Sequence, residues 1–159
     1  MKKIEIKLEL KQLNIDELDN EKRMLVEKAI EATSKSYANY SKFNVGAALL
    51  LENGEIILGA NQENAAFPVS LCAERTAIFA AQTQYPDQPI KMIAIAARTP
   101  NGLTEDPITP CGSCRQVMLG IEERYGKPIK ILLYGTRCVY EIDKASDLIP
   151  LSFVDSSMR

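Results

Sequence analysis

The 159-residue chain contains no histidine. That excludes Ser-His and Cys-His nucleophile pairs and every imidazole metal ligand, and it leaves carboxylates as the side chains best suited to move protons near neutral pH. Charge imbalance is missing too: 19 Lys and Arg stand against 21 Asp and Glu, a net charge of -2, and no stretch gathers the basic residues into a stripe. A polyanionic partner such as a nucleic acid is therefore not expected. No apolar run approaches membrane-spanning length. The opening MKKIEIKLELKQL alternates charged and apolar residues instead of offering the unbroken apolar run and small-residue cleavage site of a secretory signal, so a cytoplasmic location is expected. Thiols stay reduced there, and the four cysteines then read as ligands, nucleophiles or core residues, not disulfides. Internal repeats and low-complexity segments are also missing.

What is present suits one domain spanning 1–159, since 46% hydrophobic content is ample for a continuous core. Residues 1 to 11 read as an extended segment with Ile4, Ile6, Leu8 and Leu10 on one face, and 1–17 stand as an N-terminal extension of unassigned role. From about 18 to 33 the apolar positions Leu25, Val26, Ala29, Ile30 and Thr33 recur at helical spacing. VGAALLLENGEIILGA, residues 45 to 60, places Asn53-Gly54 between two apolar runs and predicts a β-hairpin with a tight turn, since both turn residues tolerate positive φ. A helix opens near Cys72, and IKMIAIAA at 90 to 97 is the apolar run of a strand buried on both faces. A proline-rich loop leads to PCGSCRQVMLGIEERYG, a second helix ended by Gly126. PIKILLYG gives another buried strand and CVYEI a further short one. The order implies an α/β fold, a three-layer α-β-α sandwich around a mixed sheet of about five strands.

Within this frame three cysteines share one kind of position. Cys111 and Cys114 form a C-x-x-C pair directly after Pro110, at the start of a helix, and Cys72 heads another helix. Unpaired N–H groups and the macrodipole at helix N-termini favour thiolates. Three soft sulfur ligands point first to Zn2+, one per chain, with the fourth position open for water as in a catalytic site. Glu74, two residues past Cys72 and four before Ile78, sits on an apolar stripe; desolvation would raise its pKa and suit it to take a proton from water and pass it on. Two other readings of the cysteines stand beside this one: a structural zinc site closed by Cys138, and a redox C-x-x-C. Neither gives Glu74 a task. Cys138 itself reads as a buried small apolar residue outside the site.

C-A-E followed downstream by P-C-x-x-C is a zinc-deaminase arrangement. Together with YSKFNVGAALL (40 to 50), NQENAAFPVSLCAERTAIFAA (61 to 81), PCGSCRQVM (110 to 118) and DLIPLSF (147 to 153), it closely resembles the small homotetrameric cytidine deaminases, from about residue 25 onward. The resemblance implies hydrolytic deamination of cytidine and 2'-deoxycytidine to the uridines in pyrimidine salvage, with zinc-activated water attacking C4 while Glu74 protonates N3 and later the departing amino group. It implies Cys72, Cys111 and Cys114 as the zinc ligands, Asn61 and Glu63 as the groups that hydrogen-bond the ribose, and Phe43 and Ala73 as further substrate contacts. Arg75 matches the arginine that donates to the zinc-bound sulfurs, a role that also follows from charge, since three thiolates leave Zn2+ net negative and weaken its power to acidify water.

Two positions depart from the family pattern: Asn44 where proline is common, and Phe67 where tyrosine is common, which removes a hydroxyl expected to cross between subunits. Rival functions are a deaminase of another aminated heterocycle, as for blasticidin S, a polynucleotide deaminase, and a non-catalytic zinc-stabilised binding module. Intact Asn61 and Glu63 favour a ribose-bearing substrate over the first, and the balanced charge argues against the second.

Overall fold

A computed structural model describes residues 1–159. Its centre is a seven-stranded sheet in the order β1-β7-β6-β4-β2-β3, with a two-residue strand β5 paired beside β4. The strands are β1 (Lys11–Leu13), β2 (Asn44–Leu51), β3 (Ile56–Ala60), β4 (Ile90–Thr99), β5 (Gly102–Leu103), β6 (Lys130–Tyr134) and β7 (Val139–Ile142). β4 and β6 run parallel and every other pairing is antiparallel, so the sheet is mixed. Helices α1 (Asn20–Ala32), α2 (Ala73–Gln84) and α3 (Gly112–Tyr125) cover it. The expected five strands become seven because β1 and β5 are too short to leave a period-two signal in the sequence. Of the extended segment expected over residues 1 to 11, only Lys11 enters a strand.

The layers follow from strand alternation. Ala47, Leu49 and Leu51 of β2 join Ile93 and Ile95 of β4 in a core shared with α2 and α3, while Ala48 and Leu50 join Met92, Ala94 and Ala96 in a second core under α1. Each fully buried Leu or Ile contributes roughly 1.5–3 kcal/mol, so Leu49, Ile93, Ile131 and Leu133 hold the α2–α3 face, and Leu25 and Leu132 the α1 face. α1 starts where Asp19 accepts from Lys22 N at 2.9 Å, an ordinary N-cap bond.

The β2-β3 hairpin forms as expected, but only Gly54 takes a positive φ, +87°. Asn53 stabilises the turn differently, its Oδ1 accepting from Glu55 N at 3.1 Å. On β3, Gly59 lies under the first turns of α2: a Cβ there would stand 2.5 Å from Ala77 N. Its missing side chain lets the start of α2 press onto the sheet, which fixes the height of Cys72 and Glu74.

One charge is buried away from that region. Glu141 on β7 has a side chain 2% exposed and is ringed by Lys11 of β1 at 3.1 Å, Lys22 of α1 at 2.8 Å and Lys130 of β6 at 3.2 Å. Burial alone would push its pKa up, but the ion pairs from Lys22, Lys11 and Lys130 override that and hold the carboxyl at about 2, against an ordinary 4.5. The cluster ties the short N-terminal strand to the sheet.

Candidate active site

α2 and α3 begin at the same place in the molecule, and a cysteine precedes each. Cys72 (φ -70°, ψ 154°) and Cys111 (φ -67°, ψ 166°) are the N-cap residues, with extended backbones and side chains that make no capping bond. Their sulfurs are thereby free to turn toward each other. Cys114, one turn into α3, completes the group: Cys72 Sγ lies 3.8 Å from Cys111 Sγ, Cys111 Sγ lies 3.6 Å from Cys114 Sγ, and all three sulfurs are within 4.8 Å of one another. Tetrahedral zinc with sulfur bonds of about 2.3 Å sets its ligands about 3.8 Å apart, so the three thiols fit one zinc ion per chain without rearrangement. Cys138 takes no part, but it is half-buried and not buried as its apolar character suggested, because it stands at the turn into β7, where its carbonyl accepts from Gly135 N at 2.9 Å.

The electrostatics favour anionic sulfur. The Cys72 thiol is pulled from 9.0 down to about 5, first by the Cys114 thiol, which shares its proton with it, and then by the Arg75 guanidinium, whose Nη2 donates to Cys72 Sγ at 3.5 Å. Cys114 moves the opposite way: its interaction with Cys72 and its burial keep the proton on it. Two helix N-termini aimed at the cluster act in the same direction as Arg75.

Glu74, in the first turn of α2, is 5% exposed. Burial pushes its carboxyl above the usual carboxylate range, and the negative charge on Cys72 adds to the shift. It lines a cleft of about 290 Å³ together with Cys72, Cys111, Ala73, Phe43, Asn61 and Glu63. The sequence-predicted residues thus converge, with Arg75 behind Cys72 on the side of the sulfurs.

Asn61 and Glu63 leave the end of β3 and are held by the loop before β2. Asn61 Oδ1 accepts from Val45 N at 2.8 Å and Ser36 Oγ at 2.5 Å, and its Nδ2 donates to Phe43 O at 2.9 Å. Glu63 accepts from Tyr40 N at 2.9 Å, Ser41 N at 3.2 Å and Ser41 Oγ. The Ser41 hydroxyl, followed by those two amides, holds the Glu63 carboxyl below its ordinary value and keeps it charged. Ser36, Ser41, Ile108 and Thr109 were not anticipated: the serines support the two polar residues, while Ile108 and Thr109 close the cleft from the loop before Pro110. Ser36, Ile108 and Thr109 lie in stretches with no signal beyond ordinary loop composition, and Ser41, although inside the YSKFNVGAALL stretch, has nothing in its residue type that singles it out. Of the two departures noted in the sequence, Asn44 is accommodated as the first residue of β2, and Phe67 is exposed, its ring meeting Tyr40 edge-on at 5.8 Å.

Comparison with known proteins points the same way. Residues 19–125 match the family described as the cytidine and deoxycytidylate deaminase zinc-binding region. A cytidine deaminase of Halalkalibacterium halodurans is 38% identical over 139 residues, covering 87% of this chain and 98% of the relative. One from Sporosarcina psychrophila is 45% identical over 94 residues, covering 59% of this chain and 65% of that one. The crystal structure of a cytidine deaminase from Burkholderia pseudomallei superposes with a TM-score of 0.71 at 37% identity, over 86% of this chain and 100% of that one. The chain belongs to the zinc-binding cytidine and deoxycytidylate deaminase family.

Proposed function

We propose that this protein deaminates cytidine and 2'-deoxycytidine hydrolytically, consuming one water and releasing uridine or 2'-deoxyuridine and ammonia. The observation that carries the reading is a buried carboxyl, Glu74, beside a three-thiol cluster in a cleft that also presents Asn61 and Glu63. Held by Cys72, Cys111 and Cys114, zinc would supply the Lewis acidity that makes water a competent nucleophile at neutral pH. Glu74 takes one proton from the attacking water as it adds to C4 of the pyrimidine and delivers it to N3; it then takes the second from the resulting C4 hydroxyl and delivers it to the departing amino group, which leaves as ammonia while C4 becomes a carbonyl. Burial raises its pKa above the ordinary carboxylate range, which suits both halves of that task, because the penalty for accepting a proton falls as the pKa rises.

Glu63 accepts from a ribose hydroxyl, a role supported by its three fixed donors and its charge, and a carboxylate in the cleft disfavours a substrate bearing phosphate there. Asn61 has its oxygen engaged twice and one amide hydrogen engaged, which leaves a second amide hydrogen for the sugar. Phe43 and Ala73 supply apolar wall. Arg75 offsets the negative charge of the sulfurs. The chain acts as one domain over 1–159, with 1–17 as an extension, in the cytoplasm, where thiols remain available to metal, and in pyrimidine salvage. Exposed Phe67, Val69 and Phe79 support its assembly as a homotetramer, because burial of such side chains drives association.

The test is the loss of the cytidine chromophore on incubation with the purified protein, before and after a zinc chelator, with circular dichroism in parallel. Turnover that disappears on chelation, returns with added zinc and leaves the helical signal in place supports the reading. A zinc-loaded protein that leaves cytidine unchanged, or one that unfolds on chelation without ever having turned it over, contradicts it.

A further inference from the structure

The deaminase chemistry leaves the N-terminal arm unused. Residues 1–10 belong to no strand, are exposed throughout, and take part in none of the backbone hydrogen bonds made outside the helices and strands. Ile4, Ile6, Leu8 and Leu10 are 79, 57, 50 and 46% exposed. The arm continues into β1, which pairs with β7 on one side and has its other edge free. A segment whose apolar and charged residues alternate with period two and that leads into an open sheet edge is a template for another strand.

The sequence of the arm specifies which strand. Its odd positions read Lys3, Glu5, Lys7, Glu9, alternating in sign, and its even positions from Ile4 to Leu10 are apolar. Laid antiparallel on an identical arm with Ile6 opposite Ile6, Lys3 meets Glu9 and Glu5 meets Lys7, each pair occurring twice, while Ile4 meets Leu8 on the other face. Sliding the register by two residues in total sequence sum, to centre on Glu5 or Lys7, opposes like charges at those positions. A parallel in-register arrangement opposes every charge to itself. Centring on Ile4 or Leu8 also gives opposite signs, but the first keeps only the Lys3–Glu5 pair and sets Lys2 against Ile6, and the second draws on Lys11, which is already paired with Glu141 at 3.1 Å. Opposite-charge cross-strand pairs stabilise and like-charge pairs destabilise, so one register stands out.

We propose that residues 2–10 form an antiparallel β-ribbon with the same residues of a second copy of this chain, centred on Ile6. The ribbon would satisfy backbone groups that have no partner within the chain and would cover half-exposed Ile6 and Leu8, which border a cavity of about 440 Å³ with Leu148 and Pro150. A second copy is the occupant because the charge pattern is complementary to itself.

Directed cross-linking of the full-length, zinc-loaded protein tests this, with the unsubstituted chain as control for native thiols. Directly opposed residues have Cβ atoms about 4.5–5.5 Å apart, close to disulfide reach, whereas position 4 stands about 13 Å from its counterpart in this register. Under mild oxidation Ile6→Cys should give a dimer linked through position 6, identified by peptide mapping. Ile4→Cys and Leu8→Cys should each fail alone and link when mixed. Adding Lys7→Glu to Ile6→Cys should cut the yield on the order of tenfold by opposing Glu to Glu twice, and adding Glu5→Lys as well should restore it. Circular dichroism matching the unsubstituted chain separates loss of pairing from loss of fold. Linkage at position 6 no greater than at 4 or 8 alone, or no rescue by the charge swap, overturns the proposal.

Discussion

Arg75 donates from Nη2 to Cys72 Sγ across 3.5 Å, setting a permanent positive charge against the thiol that opens α2. Removing it leaves that sulfur with Cys114 and the helix terminus as its main support, so the Cys72 pKa rises and metal binding competes less well with protons. Arg75→Ala should lower zinc affinity or turnover by roughly 10–100-fold, the scale found when groups supporting metal ligands are lost. The pH at which half the zinc is released should move upward. Metal titrations followed by elemental analysis across pH 5 to 8 check both, and an unchanged release curve would remove Arg75 from the account.

Glu63 owes its orientation to Ser41 and to the amides of Tyr40 and Ser41. If it accepts from the ribose, Glu63→Ala removes a charge-assisted hydrogen bond worth about 1.5–3 kcal/mol, and KM for cytidine should rise by roughly 10–100-fold. Free cytosine, which has no sugar, should be processed as poorly as before. Equal losses on both substrates would show that Glu63 serves the fold of the cleft and not the sugar, and would reopen the reading of another aminated heterocycle as substrate.

Glu141 makes stability depend on pH in a defined window. Its carboxyl lies at about 2 in the folded state against 4.5 ordinarily, so the folded form binds this proton less readily than the unfolded one. The stabilisation is complete above about pH 5 and is lost as pH falls toward 2. Because Lys11 is 59% exposed and its pairing is screened, the contribution is about 1–2 kcal/mol and not the full shift. Urea midpoints measured from pH 6 down to pH 3 should fall, and Glu141→Gln should be less stable at pH 6 yet show a shallower decline. A parallel decline in both proteins would mean that other carboxylates govern acid sensitivity.

Much of the site was legible in the chain because its chemistry depends on local spacing. A helix start fixes the relation of Cys72 to Glu74 and of Cys111 to Cys114, and Asn53-Gly54 marks the hairpin beneath them. What the sequence hid was long-range. Glu141 is surrounded by lysines from three other elements, one of them 130 residues away, and no periodicity announces such a meeting. Ser36 reaches Asn61 across 25 residues through a loop whose path depends on the finished sheet. The two extra strands, three and two residues long, exist because longer neighbours offer an edge, and not because their own residues demand extension.

The proposed deamination requires the sheltered acid at position 74 to move the protons while the three cysteines hold the metal. Glu74→Gln preserves shape and leaves every sulfur in place, so the purified variant should carry one zinc per chain and give an unchanged circular dichroism spectrum. Its cytidine turnover should fall by at least about 10²-fold, the lower end of what a general acid–base group contributes. A variant that keeps its zinc and fold and still turns over cytidine at the original rate would contradict the account.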